Sequence, residues 1–207
     1  IPRMNRLLAA GKFQEALVVV KKDIALPSVL GRICPAPCEG ACRRKSIDEP
    51  VSICLLKRFA GDKELEAEAA WKPEMADDTG KNVTIIGAGP AGLAAAYHLA
   101  QMGHRCRIID RNPIAGGSLC KEPGKEELPP EILEQEVEQI VAVGVEFMFD
   151  TTVDASQFKE LQKSSDVVVV ATGKGESGIA DWGLPMHPRG VEADGVSYRV
   201  ENSSVFV

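Results

Sequence analysis

Three glycines and three cysteines are the residues of this chain whose types and spacing could do chemistry. Gly87, Gly89 and Gly92 spell G-x-G-x-x-G inside VTIIGAGPAGLAAAYHLAQMGHRCRIIDRNPIAGG, residues 83–117. Such a turn carries no reactive side chain; its chemistry is anion binding. Gly87 permits the tight turn out of a strand, Gly89 lets a pyrophosphate approach the main chain, and Gly92 lets the next helix pack closely on the sheet. Asp110 follows about 20 residues on, where an acid is placed to accept hydrogen bonds from an adenosine ribose. Cys34, Cys38 and Cys42 stand four apart in GRICPAPCEGACRR, residues 31–44. Thiolate is the soft ligand that iron–sulfur centres and zinc prefer. Pro35 and Pro37 keep the first interval out of a regular helix, so a looped segment can turn several sulfurs toward one inorganic cluster. The spacing is longer than the usual zinc pattern. Structural thiols at helix ends are the alternative.

The elements that must hold these residues follow from the apolar pattern. Val83–Ile86 is a β-branched run suited to a buried parallel strand. A helix from Pro90 to Met102 aims its free N–H groups and positive dipole end at the phosphate, and Gly103 stops it. Cys106–Ile109 forms a second strand. Past Asp110 and Arg111, the pair Gly116–Gly117 offers another close main-chain approach, useful against a phosphate or an isoalloxazine. Glu131–Val143 reads as a helix, Val145–Phe149 as a strand followed by Val153, and Phe158–Leu161 as a short helical piece. VVVVATG, residues 167–173, is a central strand buried on both faces. Its Thr172 and Gly173 sit at the carboxyl end, where open α/β sheets bind ligands. Residues 174–198 are irregular, and Ser203–Val207 begins one more strand.

Before the glycine turn the pattern is helical. Residues 1–30 and Val51–Trp71 read as helices, and Trp71–Lys81, with Pro, Gly and three acids, reads as a linker. The expected division is a helical segment over 1–70, a linker over 71–81, and an α/β domain with a parallel sheet over 82–207. Cys54 could be a fourth ligand, but its helical surroundings favour a buried small hydrophobe. Cys106 lies in a core strand, and Cys120 has no partner at redox spacing. His98 and His104 read as surface or packing residues, and His187, near Met186 and Trp182 in the irregular stretch, could line a flavin edge; none of them reads as an acid–base catalyst.

The 207 residues carry 24 basic and 30 acidic side chains, a net charge of −6, and 44% are hydrophobic. No basic cluster points to nucleic acid, and no apolar run is long enough to span a bilayer. A chain with a nucleotide-binding pattern, clustered cysteines and no secretion signal is expected in a reducing cytoplasm.

The order CPAPCEGAC, linker, GAGPAGLAAAYHLAQMGH, acid, GG, helix, VVVVATG resembles the small subunit of NADPH-dependent glutamate synthase. It is also similar to the N-terminal module of dihydropyrimidine dehydrogenase. The resemblance implies a Rossmann-like FAD-binding domain preceded by a small all-helical segment of the α-helical ferredoxin type. It implies electron transfer among NAD(P)H, FAD and [4Fe–4S] clusters toward a larger partner subunit. By position, Gly87, Gly89, Pro90, Ala91 and Gly92 would hold the FAD pyrophosphate and Asp110 the ribose. Arg111 and Gly117 would flank the phosphates, and Thr172 and Gly173 would approach the flavin end; Val153 is counted with the cofactor-binding residues. Cys34 and Cys38 would ligate one cluster and Cys42 the other. Three departures stand out. The family's earlier cysteine group is missing, and Lys57 stands where the family offers Gln or Glu as a cluster ligand. Neither a nicotinamide domain after the ATG strand nor a closing Gly-Asp motif is present. The resemblance therefore implies a shortened chain that keeps little flavin as purified. The alternatives are a non-catalytic nucleotide-binding or interaction module, and NAD(P) rather than FAD in the turn.

Overall fold

The computed structural model describes residues 1–67, 71–124, 126–173, 179–187, 190–201 and 203–207. In chain order the helices and strands are α1 (Pro2–Ala9), α2 (Phe13–Lys21), α3 (Pro27–Ile33), α4 (Pro37–Gly40) and α5 (Ile53–Leu65), then β1 (Asn82–Ile86), α6 (Pro90–Gln101), β2 (Arg105–Ile109), α7 (Pro130–Ala142), β3 (Glu146–Met148), α8 (Ala155–Ser164) and β4 (Val167–Val170). Three two-residue strands complete the set: β5 (Met186–His187), β6 (Gly190–Val191) and β7 (Val205–Phe206). Ile1–Pro73 with Glu122–Gln139 forms one compact unit, and Glu74–Lys121 with Ile140–Val207 the other.

The first unit is helical. Pro2, Pro27 and Pro37 open α1, α3 and α4 at positions where a missing N–H costs nothing. Met4, Ala16 and Val20 form a buried cluster, with Leu7, Leu8, Ile53 and Leu56 packed against it. The helix expected over Val51–Trp71 is α5, which ends at Leu65; residues 68–70 lie outside the described residues. Arg32 binds Asp62 through both guanidinium nitrogens, at 2.6 and 3.0 Å. Segment 122–139, which the sequence pattern assigns to the α/β domain, groups here with the helices. What ties it in is Glu136, 1% exposed. Its two oxygens accept from the Ser28 and Val29 N–H groups, each at 2.9 Å, and so cap α3. Lys21, equally buried, pairs with Glu64 at 3.0 Å and donates to Gln139.

The second unit is a five-stranded parallel sheet in the order β3-β2-β1-β4-β7. β1 is central: Val83 stands opposite Cys106 on one side and Val167 on the other. Under one face, Ile86, Ile109, Val168, Val170 and Val205 pack on Phe158 and Trp182, whose rings stack at 4.5 Å. The short helical piece expected at Phe158–Leu161 is the ten-residue α8. A capping box extends it: Asp154 accepts from the Ser156 and Gln157 N–H groups at 2.8 Å, and Gln157 accepts from the Asp154 N–H. Within the irregular stretch 174–198, residues 179–182 form a single 3₁₀ turn and β5 pairs with β6; 174–178 and 188–189 lie outside the described residues. The linker has no regular structure, yet its second half is fastened to this unit. Ala76 N–H donates to Gln101, Thr79 N–H to Gly103, and Arg105 pairs with Asp78.

Glu136 makes the helical unit sensitive to pH. Burial pushes its carboxyl up to about 7, against the pull of the Val29 and Ser28 donors and of Lys21, with Glu64 adding to the rise. The folded chain therefore binds a proton that the unfolded chain, with an ordinary value of 4.5, has already released. Stability from this group falls as pH rises from about 4.5 to about 7, by about 3 kcal/mol, and is level above. Urea unfolding across that range should show the decline in the wild type and a flatter profile in Glu136→Gln. An identical slope in both would contradict it.

Candidate functional site

The site is built where β1, β2 and β4 end. At the carboxyl end of β1 the chain turns at Gly87 with φ +115°, and a Cβ there would lie 2.3 Å from the Ala171 carbonyl oxygen. Only glycine fits that conformation against the end of β4. The Gly87 N–H donates to the last carbonyl of β2, Ile109, at 2.8 Å. The next residue is held through both of its peptide groups: the Ala88 N–H donates to Asp110 Oδ2 at 2.6 Å, and the Ala88 carbonyl accepts from the Gly116 N–H at 2.8 Å. Gly89 then caps α6 with extended backbone and no side chain, and nothing lies within 4 Å of where its Cβ would be. A Cβ on Gly92 would sit 1.9 Å from the Gly87 oxygen, so the first turn of α6 lies hard against the glycine turn.

The result is a concave strip of main chain. Pro90 opens α6 without an N–H to waste, and the Ala91 and Gly92 N–H groups belong to the first helical turn, which has no intrahelical acceptor. Gly117 flanks them, its Cβ position 2.9 Å from Gly89 Cα. Ala171, which abuts Gly87, leads directly into Thr172 and Gly173, so the β4 end borders the same turn. Open space at Gly89, unshared first-turn donors and a positive helix end suit a diphosphate; the residues present fit a dinucleotide.

Two of the expected cofactor residues take on local duties. Asp110, 9% exposed, binds Ala88 through one oxygen and the Asn112 N–H and Nδ2 through the other, at 2.8 and 2.7 Å. Three donors leave about one of a carboxylate's four acceptor positions for a ribose hydroxyl. Asp110 therefore shapes the turn before it touches any ligand. Val153 is buried in the core beneath the sheet, and its carbonyl accepts from the Trp182 indole at 3.2 Å. Arg111 is exposed. Gly116, which holds the Ala88 carbonyl, is a site residue that the pattern singles out only as half of a glycine pair. A cleft of about 550 Å³ at the opposite, amino edge is lined by Thr84, Arg105, Arg107 and Ser165 and includes none of Gly87, Gly89 and Gly92.

The thiols are presented one by one. Cys34 ends α3, Cys38 lies exposed in α4, and Cys42 precedes a 3₁₀ turn at Arg43–Ser46. The Cys42 thiol is held below its ordinary value by N–H donors from Val51 and Arg44, with Lys45 and the Arg44 charge adding to the effect. That surrounding suits a thiolate ligand. Ala36, at φ +50° between its two prolines, bends the chain between Cys34 and Cys38. Among the described residues no three Cys, His, Asp or Glu side chains converge on one point. Cys34, Cys38 and Cys42 are the thiolate donors this segment offers toward iron.

Comparison with known proteins agrees with both halves. Residues 1–69 match the family described as dihydropyrimidine dehydrogenase domain II, 4Fe-4S cluster. Residues 85–126 match the NAD(P)-binding Rossmann-like domain. The chain is 38% identical over 195 residues to the NADP(+)-dependent formate dehydrogenase subunit beta of Moorella thermoacetica, covering 84% of this chain and 28% of that protein. It is 35% identical over 202 residues to the NADPH-Fe(3+) oxidoreductase subunit beta of Geobacter sulfurreducens, covering 96% and 29%. It is 36% identical over 176 residues to the glutamate synthase [NADPH] small chain of Bacillus subtilis, covering 84% and 35%. The chain thus spans about a third of the length of these relatives. It is similar to the part of the glutamate synthase small chain and of these oxidoreductase subunits in which a segment matching dihydropyrimidine dehydrogenase domain II is followed by a Rossmann-like one.

Proposed function

We propose that this chain is the FAD-binding segment of an NAD(P)H oxidoreductase subunit, which passes electrons between NAD(P)H, FAD and iron–sulfur clusters toward a larger partner subunit. The observation that carries the reading is the main-chain cradle at the carboxyl edge of the sheet, where Gly89 leaves room for a diphosphate at the start of α6. Relatives named for NADP(+) or NADPH, each a subunit or small chain, support the nicotinamide nucleotide and the partner. Bound FAD would supply the redox chemistry, accepting electrons in pairs and releasing them singly. The protein's part is binding and orientation. The Gly89, Ala91 and Gly92 main chain would neutralise the diphosphate, Gly117 would close its far side, and Asp110 would hold the turn and offer its remaining lone pair to the ribose. Thr172 and Gly173 would border the flavin end. Cys34, Cys38 and Cys42 would be this chain's donors toward iron.

In domain terms the proposal is a helical iron–sulfur-type segment over 1–70, a linker over 71–81 and an FAD-binding domain over 82–207, from which 122–139 is set apart because it groups with the helical unit. We place the protein in the cytoplasm; among the described residues no helix is long and apolar enough to cross a membrane.

The test is to incubate the purified chain with excess FAD, remove free cofactor, read the visible spectrum and add NADPH without oxygen. Retained flavin absorbance that bleaches supports the proposal. Retained flavin that does not bleach makes the chain a nucleotide-binding module, and NADPH binding without flavin retention puts a nicotinamide nucleotide in the turn.

Asp110 gives a second prediction. Asp110→Ala leaves the buried Ala88 N–H without an acceptor, which costs about 1–3 kcal/mol. The flavin-free variant should unfold at lower urea than wild type and bind FAD more weakly. Unchanged stability with FAD affinity alone reduced would assign Asp110 to the ribose only.

A further inference from the structure

Two hydrogen-bond donors line the amino-edge cleft of the sheet unit and have no acceptor among the described residues. The cleft, about 550 Å³ in volume, lies at the end of the strands away from the glycine turn. Thr84 on β1, Arg107 on β2 and Glu146 on β3 stand opposite one another in the parallel register, so their side chains rise from one face of the sheet. Arg107 is half-buried, and its Nε is out of solvent without a hydrogen-bond partner. Glu146 beside it is exposed and does not supply one. Thr84 Oγ1 and Ser165 Oγ, both on buried residues, lie 2.8 Å apart. Their bond uses one of two hydroxyl hydrogens, which leaves one O–H to donate. A charged donor shut away from water is costly while it has no acceptor, so these groups call for oxygen atoms from a ligand.

The charges around these donors select the ligand. The exposed Arg105 is already paired with Asp78 at 2.5 Å, and Glu146 sets a negative charge beside Arg107. The cleft also takes in Gly103 and Ser164, at the carboxyl ends of α6 and α8, where the helix dipoles are negative. Such a field disfavours a doubly charged anion and tolerates a single charge. A guanidinium offers Nε and one Nη as a planar fork that matches the two oxygens of one carboxylate. Met75, Ala76 and Val143 add apolar wall, which suits a short hydrocarbon tail. We propose that the cleft is a binding site for a small monocarboxylate. Arg107 grips the carboxylate side-on through Nε, and the spare hydroxyl hydrogen of the Thr84–Ser165 pair donates to one of its oxygens. The site needs neither flavin nor iron, and it lies at the other edge of the sheet from the dinucleotide cradle.

The test follows the arginine Nε–H signals of the ¹⁵N-labelled, flavin-free chain by NMR at slightly acid pH. Sodium butyrate is added in one series and sodium sulfate in another, with sodium chloride holding the ionic strength constant. Butyrate should move the Arg107 Nε–H signal downfield to saturation and move that of Arg105 less. Sulfate, doubly charged, should bind more weakly than butyrate. Arg107→Lys keeps the charge but loses the fork, and should weaken butyrate about tenfold, the loss expected for one charged hydrogen bond. Should that variant fail to fold, the wild-type comparison of butyrate with sulfate decides. An Arg107 signal that stays still, drifts without saturating, or answers sulfate as well as butyrate would overturn the proposal. So would butyrate shifts centred on the Gly89, Ala91 and Gly92 amides, which would place the carboxylate in the cradle instead.

Discussion

Ala88 is the residue on which the proposed site depends. Its N–H is fixed by the Asp110 carboxylate and its carbonyl by the Gly116 N–H. With both ends held, the glycine turn cannot relax into its own open space, and the first turn of α6 is presented with its donors outward. A cradle held this way costs no reorganisation when an anion arrives, which is the advantage of a preformed site. The surrounding sheet supplies the anchors: β2 contributes the Ile109 carbonyl and Asp110, and the end of β4 blocks any side chain at Gly87.

The helical unit works under a different constraint. Its polar groups are withdrawn from solvent as a set: Lys21 with Glu64 and Glu136 on the Ser28 and Val29 N–H groups are buried, and Arg32 with Asp62 is half-buried. Buried charges of this kind add little net stability, but removing one partner is costly. They fix which segments pack together, and Glu136 is the residue that fastens 122–139 to the N-terminal helices.

Most of the sheet was legible. The runs VTII, RCRII and VVVV mark β1, β2 and β4, since valine and isoleucine on both faces suit a buried parallel strand. GAGPAG marked the turn because each glycine has a steric reason that the coordinates bear out at Gly87 and Gly92. Asp110 stood at the expected place, but its principal partners, Ala88 and Asn112, are set by how the turn folds back and leave no trace in spacing. α8 was underestimated although its signal, Asp154 three residues before Gln157, can be read from the chain. The grouping of 122–139 with the helices could not be read: Glu136 meets Ser28 across 108 residues, beyond any local pattern.

The central claim, that the main chain from Gly89 to Gly92 together with Gly117 receives a diphosphate, is tested most directly by an amide NMR titration of the ¹⁵N-labelled chain with ADP. The account predicts saturable shifts led by Gly89, Ala91, Gly92 and Gly117. Shifts confined to the amino-edge cleft around Thr84 and Arg107, with those four amides unmoved, would contradict it.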